Sequence, residues 1–210
     1  ELEDLYWSGN YKPYTKEETE KILFSMLKKV PRYCRVMRIM REIPPEYIVA
    51  GTIRIDLRKD VEEELRKKNK KLKEIRFREI GFAVRDKRKI NLDLKLKTTK
   101  YKASEGREFF LEIVNKDDIL FGLLRLRLGK KRSVIREIHV YGQALELGKK
   151  SQAATQHQGL GKWLMSEAEN IAKKNKYNKL WVISGIGARE YYKKLGYELK
   201  EGYMIKGFED

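Results

Sequence analysis

The chain has 210 residues and is 41% hydrophobic, so it can bury the core of one large or two small domains. Its single cysteine, Cys34, excludes an internal disulfide and a cysteine-only metal site, which fits a reducing compartment. No apolar run reaches the roughly 18 residues of a membrane span, and the acidic N-terminus has no hydrophobic signal region. We therefore expect a cytoplasmic protein without membrane contact.

A formal net charge of +17 points to a polyanionic partner. The excess is concentrated in residues 58–102, which hold 18 Lys and Arg against 8 Asp and Glu. The alternative is a solvated surface rich in both lysine and glutamate. The predicted nucleic-acid-binding residues are Lys67, Lys68, Lys70, Lys71, Lys73, Arg76 and Arg78.

The first third of the chain predicts a small fragment of a helix and a strand. Thr15 and Glu18 have the spacing of a capping box, and an apolar stripe then runs from Ile22 to Val30 before Pro31. Residues 35–39 alternate and predict a strand, whereas Pro44 and Pro45 break the chain. A heavily charged helix is expected over residues 53–68. This fragment is too small to bury a core alone.

From residue 75 the pattern predicts mostly strands. Alternating or apolar runs occupy residues 75–84, 92–101, 109–114, 119–128 and 134–141. Turn residues at 115–118 and 129–131 connect them closely, which predicts an antiparallel meander. The order strand, helix, helix, strand that follows predicts parallel pairing. The fold class is therefore α/β, a mixed sheet flanked by helices.

A glycine-rich turn, Gln156-His157-Gln158-Gly159-Leu160-Gly161, leads into an amphipathic helix. Leu160, Trp163, Leu164, Ala168, Ile171 and Ala172 lie on one helical face. The first amides of a helix have no intrahelical partner, and glycine lets a ligand approach the backbone. Such a turn fits a pyrophosphate. The alternative is a helix start that binds nothing.

In this context the turn resembles the acetyl-CoA signature of the GCN5-related N-acetyltransferase superfamily. The segment Y-Y-K-K-L-G-Y, residues 191–197, is similar to the superfamily's last helix and the strand after it. Together, R-E-I-H-V-Y-G, Q-H-Q-G-L-G and V-I-S-G-I-G-A-R-E-Y-Y-K-K-L-G-Y resemble the acetyltransferase domain of the catalytic Elongator subunit. The resemblance covers residues 75–206 strongly.

Residues 11–57 resemble, more weakly, the end of the radical S-adenosylmethionine (SAM) barrel that precedes this domain in the family. The segments P-R-Y at 31–33, R-E-I-P at 41–44 and I-V-A-G at 48–51 carry that resemblance. The expected domains are a radical SAM fragment over residues 1–57, a basic linker and helix over 58–74, and an acetyltransferase domain over 75–210.

The resemblance implies acetyl-CoA as cofactor. The residues expected to bind it are Glu137, Ile138, His139, Val140, Gln156, His157, Gln158, Gly159, Leu160, Gly161, Lys162, Trp163 and Tyr192. A strand at Glu137–Val140, splayed from its neighbour, would hydrogen-bond the pantetheine like an added strand.

The predicted catalytic residues are Tyr192, which the resemblance implies, and Glu137. Tyr192 would protonate the departing thiolate, while Tyr191 would pack in the core. Glu137 would act as a base or hold a nucleophilic water. Glu137 and His139 are two residues apart and should share one sheet face, with His139 in a binding role. The alternatives are a surface ion pair for Glu137 and a hydrogen-bonded core imidazole for His139.

The family's barrel holds an iron–sulfur cluster through three cysteines, and with Cys34 alone this chain cannot. We therefore expect no metal site, and neither the cluster nor S-adenosylmethionine held by this chain. The resemblance implies acetyl transfer toward carbon 5 of the wobble uridine of tRNA. The expected partners are tRNA, acetyl-CoA, and the missing barrel or other Elongator-like subunits. The alternatives are a lysine N-acetyltransferase and a non-catalytic RNA-binding module.

Overall fold

A computed structural model describes residues 1–39, 43–53, 57–68, 70–141 and 159–208. The chain forms two compact units, Glu1–Arg78 and Glu79–Asp210, which we call unit 1 and unit 2. The three domain ranges expected from the sequence stay a prediction. None of the described helices combines the length and the apolar character needed to cross a bilayer.

Unit 1 is helical. It contains α1 (Leu2–Trp7), α2 (Lys16–Lys29), a 3₁₀ turn (Pro45–Tyr47), α3 (Leu57–Lys67) and α4 (Ile75–Arg78). The predicted capping box is confirmed: the Thr15 hydroxyl accepts from the Glu18 amide, and the Glu18 carboxylate accepts from the Thr15 amide. A small core joins α2 and α3 through Leu23, Leu27, Leu57, Val61, Leu65 and Leu72.

The strand predicted over residues 35–39 is wrong. This segment pairs with no strand in the described part of the chain. Side chains satisfy its backbone instead: the Val36 amide donates to Glu74 at 3.2 Å, and the Val36 carbonyl accepts from Arg58. Alternating residues therefore gave a false signal, because a buried ion pair takes the place of a sheet neighbour.

The strand predicted over residues 75–84 is also wrong, because two short helices form there. They are α4 and, in unit 2, α5 (Ile80–Arg85). The Glu74 carboxylate accepts from the amides of Arg76 at 3.0 Å and Phe77 at 2.7 Å, which caps the start of α4. The buried residues Ile80 and Ala83 are one helical turn apart. The cap and this spacing override the apolar–charged alternation.

Unit 2 is built on a mixed sheet. Its described strands are β1 (Lys95–Ala103), β2 (Gly106–Val114), β3 (Leu120–Leu128), β4 (Ser133–Val140), β5 (Lys179–Val182), β6 (Glu198–Lys200) and β7 (Tyr203–Gly207). The order is β1-β2-β3-β4-β5-β7-β6, with β4 and β5 parallel and the other pairs antiparallel. The predicted meander, mixed pairing and α/β class are confirmed.

The helix α6 (Leu160–Lys174) packs on the sheet across β2 to β5. Its buried residues are Leu160, Leu164, Met165, Ala168, Ile171 and Ala172. The predicted apolar stripe is therefore correct except at Trp163, which is 40% exposed and is replaced in the core by Met165. After β5 come a 3₁₀ turn (Ile186–Ala188) and α7 (Arg189–Lys193).

Candidate active site

The two parallel strands in the middle of the sheet separate after a short pairing. β4 and β5 are in register only from Ser133 opposite Leu180 to Ile135 opposite Val182. Arg136 is an extra residue opposite β3, since Arg125 pairs with Glu137 and Leu126 with Ile135. A bulge of this kind bends its strand. Among the described residues, the edge of β4 beyond Ile135 that faces β5 has no strand neighbour.

The start of α6 meets the end of β4. Gly159 is the N-cap residue and has no side chain to cover the first amides of the helix. Among the described residues, a Cβ atom placed on Gly159 would meet no atom within 4 Å, whereas one on Gly161 would lie 3.8 Å from Val140 Cγ2. The first amides of α6 are therefore accessible beside the free edge of β4. Lys162 and Trp163 are exposed on the next positions.

The packing expected for the tyrosine pair is reversed. Tyr192 is 4% exposed and belongs to the core, whereas Tyr191 is 36% exposed. A Cβ atom on Gly161 would lie 2.6 Å from Tyr191 Oη, so this hydroxyl reaches the turn at the start of α6. Tyr192 instead packs edge-on against Tyr191 and Tyr197, with ring centroids 5.2 Å and 6.1 Å away.

The surroundings keep all three phenols protonated. Burial raises the pKa of Tyr191, and burial together with the neighbouring Tyr191 raises the pKa of Tyr192. The pKa of Tyr197 rises furthest, because it is buried and lies beside the Glu169 carboxylate, to which its hydroxyl donates at 2.9 Å. Glu169 is also paired with Lys206 at 3.0 Å. Each phenol is therefore a proton donor at neutral pH.

Glu137 and His139 share one face of β4, as predicted. His139 Nε2 lies 3.2 Å from Glu137 Oε1, and Arg125 on β3 donates to Glu137 Oε2. Both oxygens of this carboxylate are thus engaged. The His139 ring is more than half exposed and lies parallel to Tyr141, with centroids 6.3 Å apart. Glu137 therefore forms an ion pair, but with Arg125 and not with Arg136, the kind of partner weighed from the sequence; Arg136 pairs with Glu108.

Three of the predicted cofactor contacts, Gln156, His157 and Gln158, lie outside the described residues. Of the others, Glu137, Ile138, His139, Val140, Gly159, Gly161 and Lys162 border the opening between β4 and β5 or the start of α6. Leu160 lies in the core below it. The sequence did not identify Arg125, because only the bulged register of β3 and β4 places it opposite Glu137.

The basic residues predicted to bind nucleic acid divide into two groups. Lys67, Lys68, Lys70, Lys71 and Lys73 are exposed. Arg76 is partly buried and donates to the Met37 carbonyl at 3.4 Å. Arg78 is 4% exposed and donates to the carbonyls of Lys73 and Arg32. Arg78 is thus placed in the interior of unit 1, away from the surface on which a polyanion could bind.

The described residues offer little for a metal. Cys34 is the single cysteine of the sequence and is partly buried. A search of the described residues finds no group of three or more His, Cys, Asp or Glu able to hold an ion. The donor set therefore does not fit an iron–sulfur cluster bound through three cysteines.

Two protein-family models match the chain. The Radical_SAM C-terminal domain matches residues 1–67, and the Acetyltransferase (GNAT) domain matches residues 100–204. The second match covers most of the sheet, α6 and the tyrosine pair, and thus the whole of the described site.

Similar full-length proteins match almost all of the chain. The tRNA uridine(34) acetyltransferase of Dehalococcoides mccartyi (strain CBDB1) is 38% identical over 98% of this chain and 47% of its own length. The Homo sapiens Elongator complex protein 3 is 36% identical over 98% of this chain and 40% of its own. The chain thus spans less than half the length of these relatives.

A solved structure agrees with this match. The archaeal Methanocaldococcus infernus Elp3 with an N-terminal deletion superposes with a TM-score of 0.81 and 34% identity. It covers 98% of this chain, which in turn spans 51% of that protein. The similarity includes both units.

Proposed function

Because this chain belongs to the GNAT acetyltransferase family through residues 100–204, we propose that it binds acetyl-CoA and delivers the acetyl group in tRNA uridine modification. The observation that carries the proposal is the separation of β4 from β5 directly beside the open start of α6. A thioester ligand needs both features, one for its amides and one for its phosphates.

The pantetheine arm would pair with the free edge of β4 at Ile138 and Val140, in the manner of an added strand. The pyrophosphate would accept hydrogen bonds from the amides of Gly159, Leu160 and Gly161 at the positive end of α6. The space fits this group, since no atom of the described residues lies within 4 Å of a Cβ built on Gly159. Lys162 is exposed nearby and would add a positive charge.

In acetyl transfer the bond between carbonyl carbon and sulfur breaks, and the sulfur leaves as a thiolate that takes up a proton. We assign this proton to Tyr191, because its hydroxyl reaches the start of α6 and carries a proton at neutral pH. Tyr192, the residue expected from the sequence, would hold the Tyr191 ring from behind. Glu137, fixed by Arg125, would orient His139 beside the bound cofactor rather than remove a proton.

The acceptor proposed is the wobble uridine of tRNA, by analogy with the named relatives, and the activity is placed in the cytoplasm. The exposed lysines Lys67, Lys68, Lys70, Lys71 and Lys73 would contact phosphates. Activation of the uridine carbon lies outside this chain, since Cys34 is its one cysteine. The partner required is thus the remaining radical SAM barrel, supplied by the rest of a longer protein or by another subunit.

The decisive experiment is the release of coenzyme A from acetyl-CoA, measured with and without tRNA. We expect tRNA to accelerate release severalfold, with water as the acetyl acceptor, acetate as the second product, and no modified uridine formed by this chain alone. Acetylation of histone peptides that tRNA does not affect would identify a lysine acetyltransferase instead. If neither release nor acetyl-CoA binding occurs while tRNA binds, the chain is an RNA-binding module.

Replacing Tyr191 by phenylalanine tests the proton donor. We expect the tRNA-stimulated rate to fall about 100-fold, a typical contribution of general acid catalysis, with the acetyl-CoA dissociation constant nearly unchanged. Tyr192→Phe is the matched control and should change the rate less than about tenfold, because its ring packs in the core. The opposite ranking of the two variants would return the role to Tyr192, as the sequence predicted.

A further inference from the structure

A cavity of about 570 Å³ lies in unit 2 between the β1–β2 hairpin and the C-terminal half of α6. In the register of the hairpin, Lys100 is opposite Phe109 and Lys102 is opposite Arg107, so these four side chains share the face that lines the cavity. Lys174 and Glu167 border it from α6. The wall is thus basic, with an apolar floor that includes the buried Phe109 ring.

The cations of this cavity outnumber its carboxylates, and Lys100 Nζ lies 5.5 Å from the centroid of the Phe109 ring. Among the described residues, none of Lys100, Lys102, Arg107 and Lys174 forms an ion pair, and Glu167 is the one carboxylate in the wall. Other cations of unit 2 do have partners: Arg125 pairs with Glu137, Arg127 with Glu108, and Lys206 with Glu169. Like charges directly opposite each other, as in Lys102 and Arg107, are unfavourable in a sheet. An anionic ligand would relieve that repulsion.

The cavity is separate from the acetyl-CoA site. Ile171 and Lys174 lie 11 and 14 residues after Leu160, which corresponds to roughly 16–21 Å along α6. The pyrophosphate proposed at the start of this helix therefore cannot be the anion that these cations bind. The cations of the cavity are also distinct from the lysines of residues 67–73, which belong to unit 1.

We propose that Lys100, Lys102, Arg107 and Lys174 form a groove that binds the phosphodiester backbone of RNA at a distance from the acetyl-transfer site. Lys100 and Lys102 repeat about 6.8 Å apart along β1, so they can contact successive phosphates of one strand. Binding would release counterions at each contact. The choice of RNA over another polyanion rests on the proposed function, and the groove adds a second point of attachment for the same partner.

The test compares the intact chain with the variant Lys100→Gln/Lys102→Gln/Arg107→Gln in titrations with a tRNA transcript at several salt concentrations. At about 0.15 M salt we expect about a tenfold loss of tRNA affinity. The slope of log affinity against log salt should decrease by about 2 to 3, since three phosphate contacts are lost. The three residues are exposed, so the melting temperature should not fall.

The matched control, Lys116→Gln/Lys130→Gln/Lys200→Gln, removes the same charge from unit 2 outside the groove and should keep the wild-type slope. The proposed groove would be wrong if both variants lose tRNA affinity equally or if the groove variant keeps the wild-type slope. It would also be wrong if the wild type does not bind tRNA. Displacement of tRNA by polyglutamate at equal charge would indicate an acidic protein partner and overturn the RNA assignment. Acetyl-CoA affinity, measured in parallel, should be unchanged. If the wild type does not bind acetyl-CoA, the proposed function is contradicted. The conclusion about RNA binding in the groove would not change.

Discussion

Replacing Gly161 by alanine is expected to lower acetyl-CoA affinity at least tenfold, or about 1.4 kcal/mol. The new Cβ would lie 2.6 Å from Tyr191 Oη, so the tyrosine must shift at the turn proposed to hold the pyrophosphate. Stability should not fall, because alanine is favoured over glycine within a helix by about 0.5–1 kcal/mol. Isothermal titration with acetyl-CoA and thermal unfolding of the same samples measure the two effects.

Leucine at this position should lower acetyl-CoA affinity about 100-fold, because its branched side chain would fill the space proposed for the pyrophosphate even if Tyr191 moves. Gly81→Ala is the matched control, since Gly81 lies within α5 and a Cβ there meets no atom within 4 Å. Wild-type acetyl-CoA affinity in Gly161→Leu would show that the ligand does not use the start of α6. The proposed acetyl-CoA site would then be wrong.

Replacing Glu74 by alanine is expected to destabilise unit 1 by about 3–5 kcal/mol, the usual cost of breaking a buried ion pair. The Glu74 side chain is 0% exposed, and its carboxylate pairs with Arg58 at 3.0 Å. It also accepts from the amides of Val36, Arg76 and Phe77. Alanine would leave the half-buried Arg58 guanidinium with one carboxylate partner, Glu62, and would uncap α4.

Hydrogen–deuterium exchange resolved by segment is the suitable measurement, because a chain with two compact units does not have to unfold in one step. Amides of residues 35–39 and 75–78 should lose protection, while those of β2 and β3 should not. Glu63→Ala removes an exposed carboxylate from α3 and should change stability by less than about 0.5 kcal/mol. Unchanged protection in Glu74→Ala would show that this carboxylate does not organise unit 1.

Local sequence patterns predicted the structure correctly where the hydrogen bonds of an element are made within that element or its adjacent turn. Thr15 and Glu18 satisfy each other's amides within one turn, so the start of α2 could be read from four residues. The strands β2 and β3 are apolar over most of their length and joined by a turn in which Asn115 accepts from two amides. Their pairing was predictable for the same reason.

The same reasoning failed where a distant side chain supplies the hydrogen bonds. Residues 35–39 and 75–84 alternate like strands, yet Glu74 binds the backbone of both the first segment and α4. A carboxylate that acts across 38 positions of the chain leaves no local pattern. Arg78 illustrates this too, since its charge suggested a surface role but its guanidinium is held by two carbonyls inside unit 1.

The sequence by itself determined the α/β class, the family, and the strand, turn and helix that make up the site. The class and the elements follow from apolar periodicity and glycine spacing, which are properties of single elements, whereas the family was implied by the resemblance of three motifs. Tertiary structure decided which tyrosine faces the start of α6, because adjacent residues on a helix differ by about 100° and only packing against Tyr197 fixes which one is buried. It also decided the partners of Glu137 and the basic groove, since both depend on the register between strands.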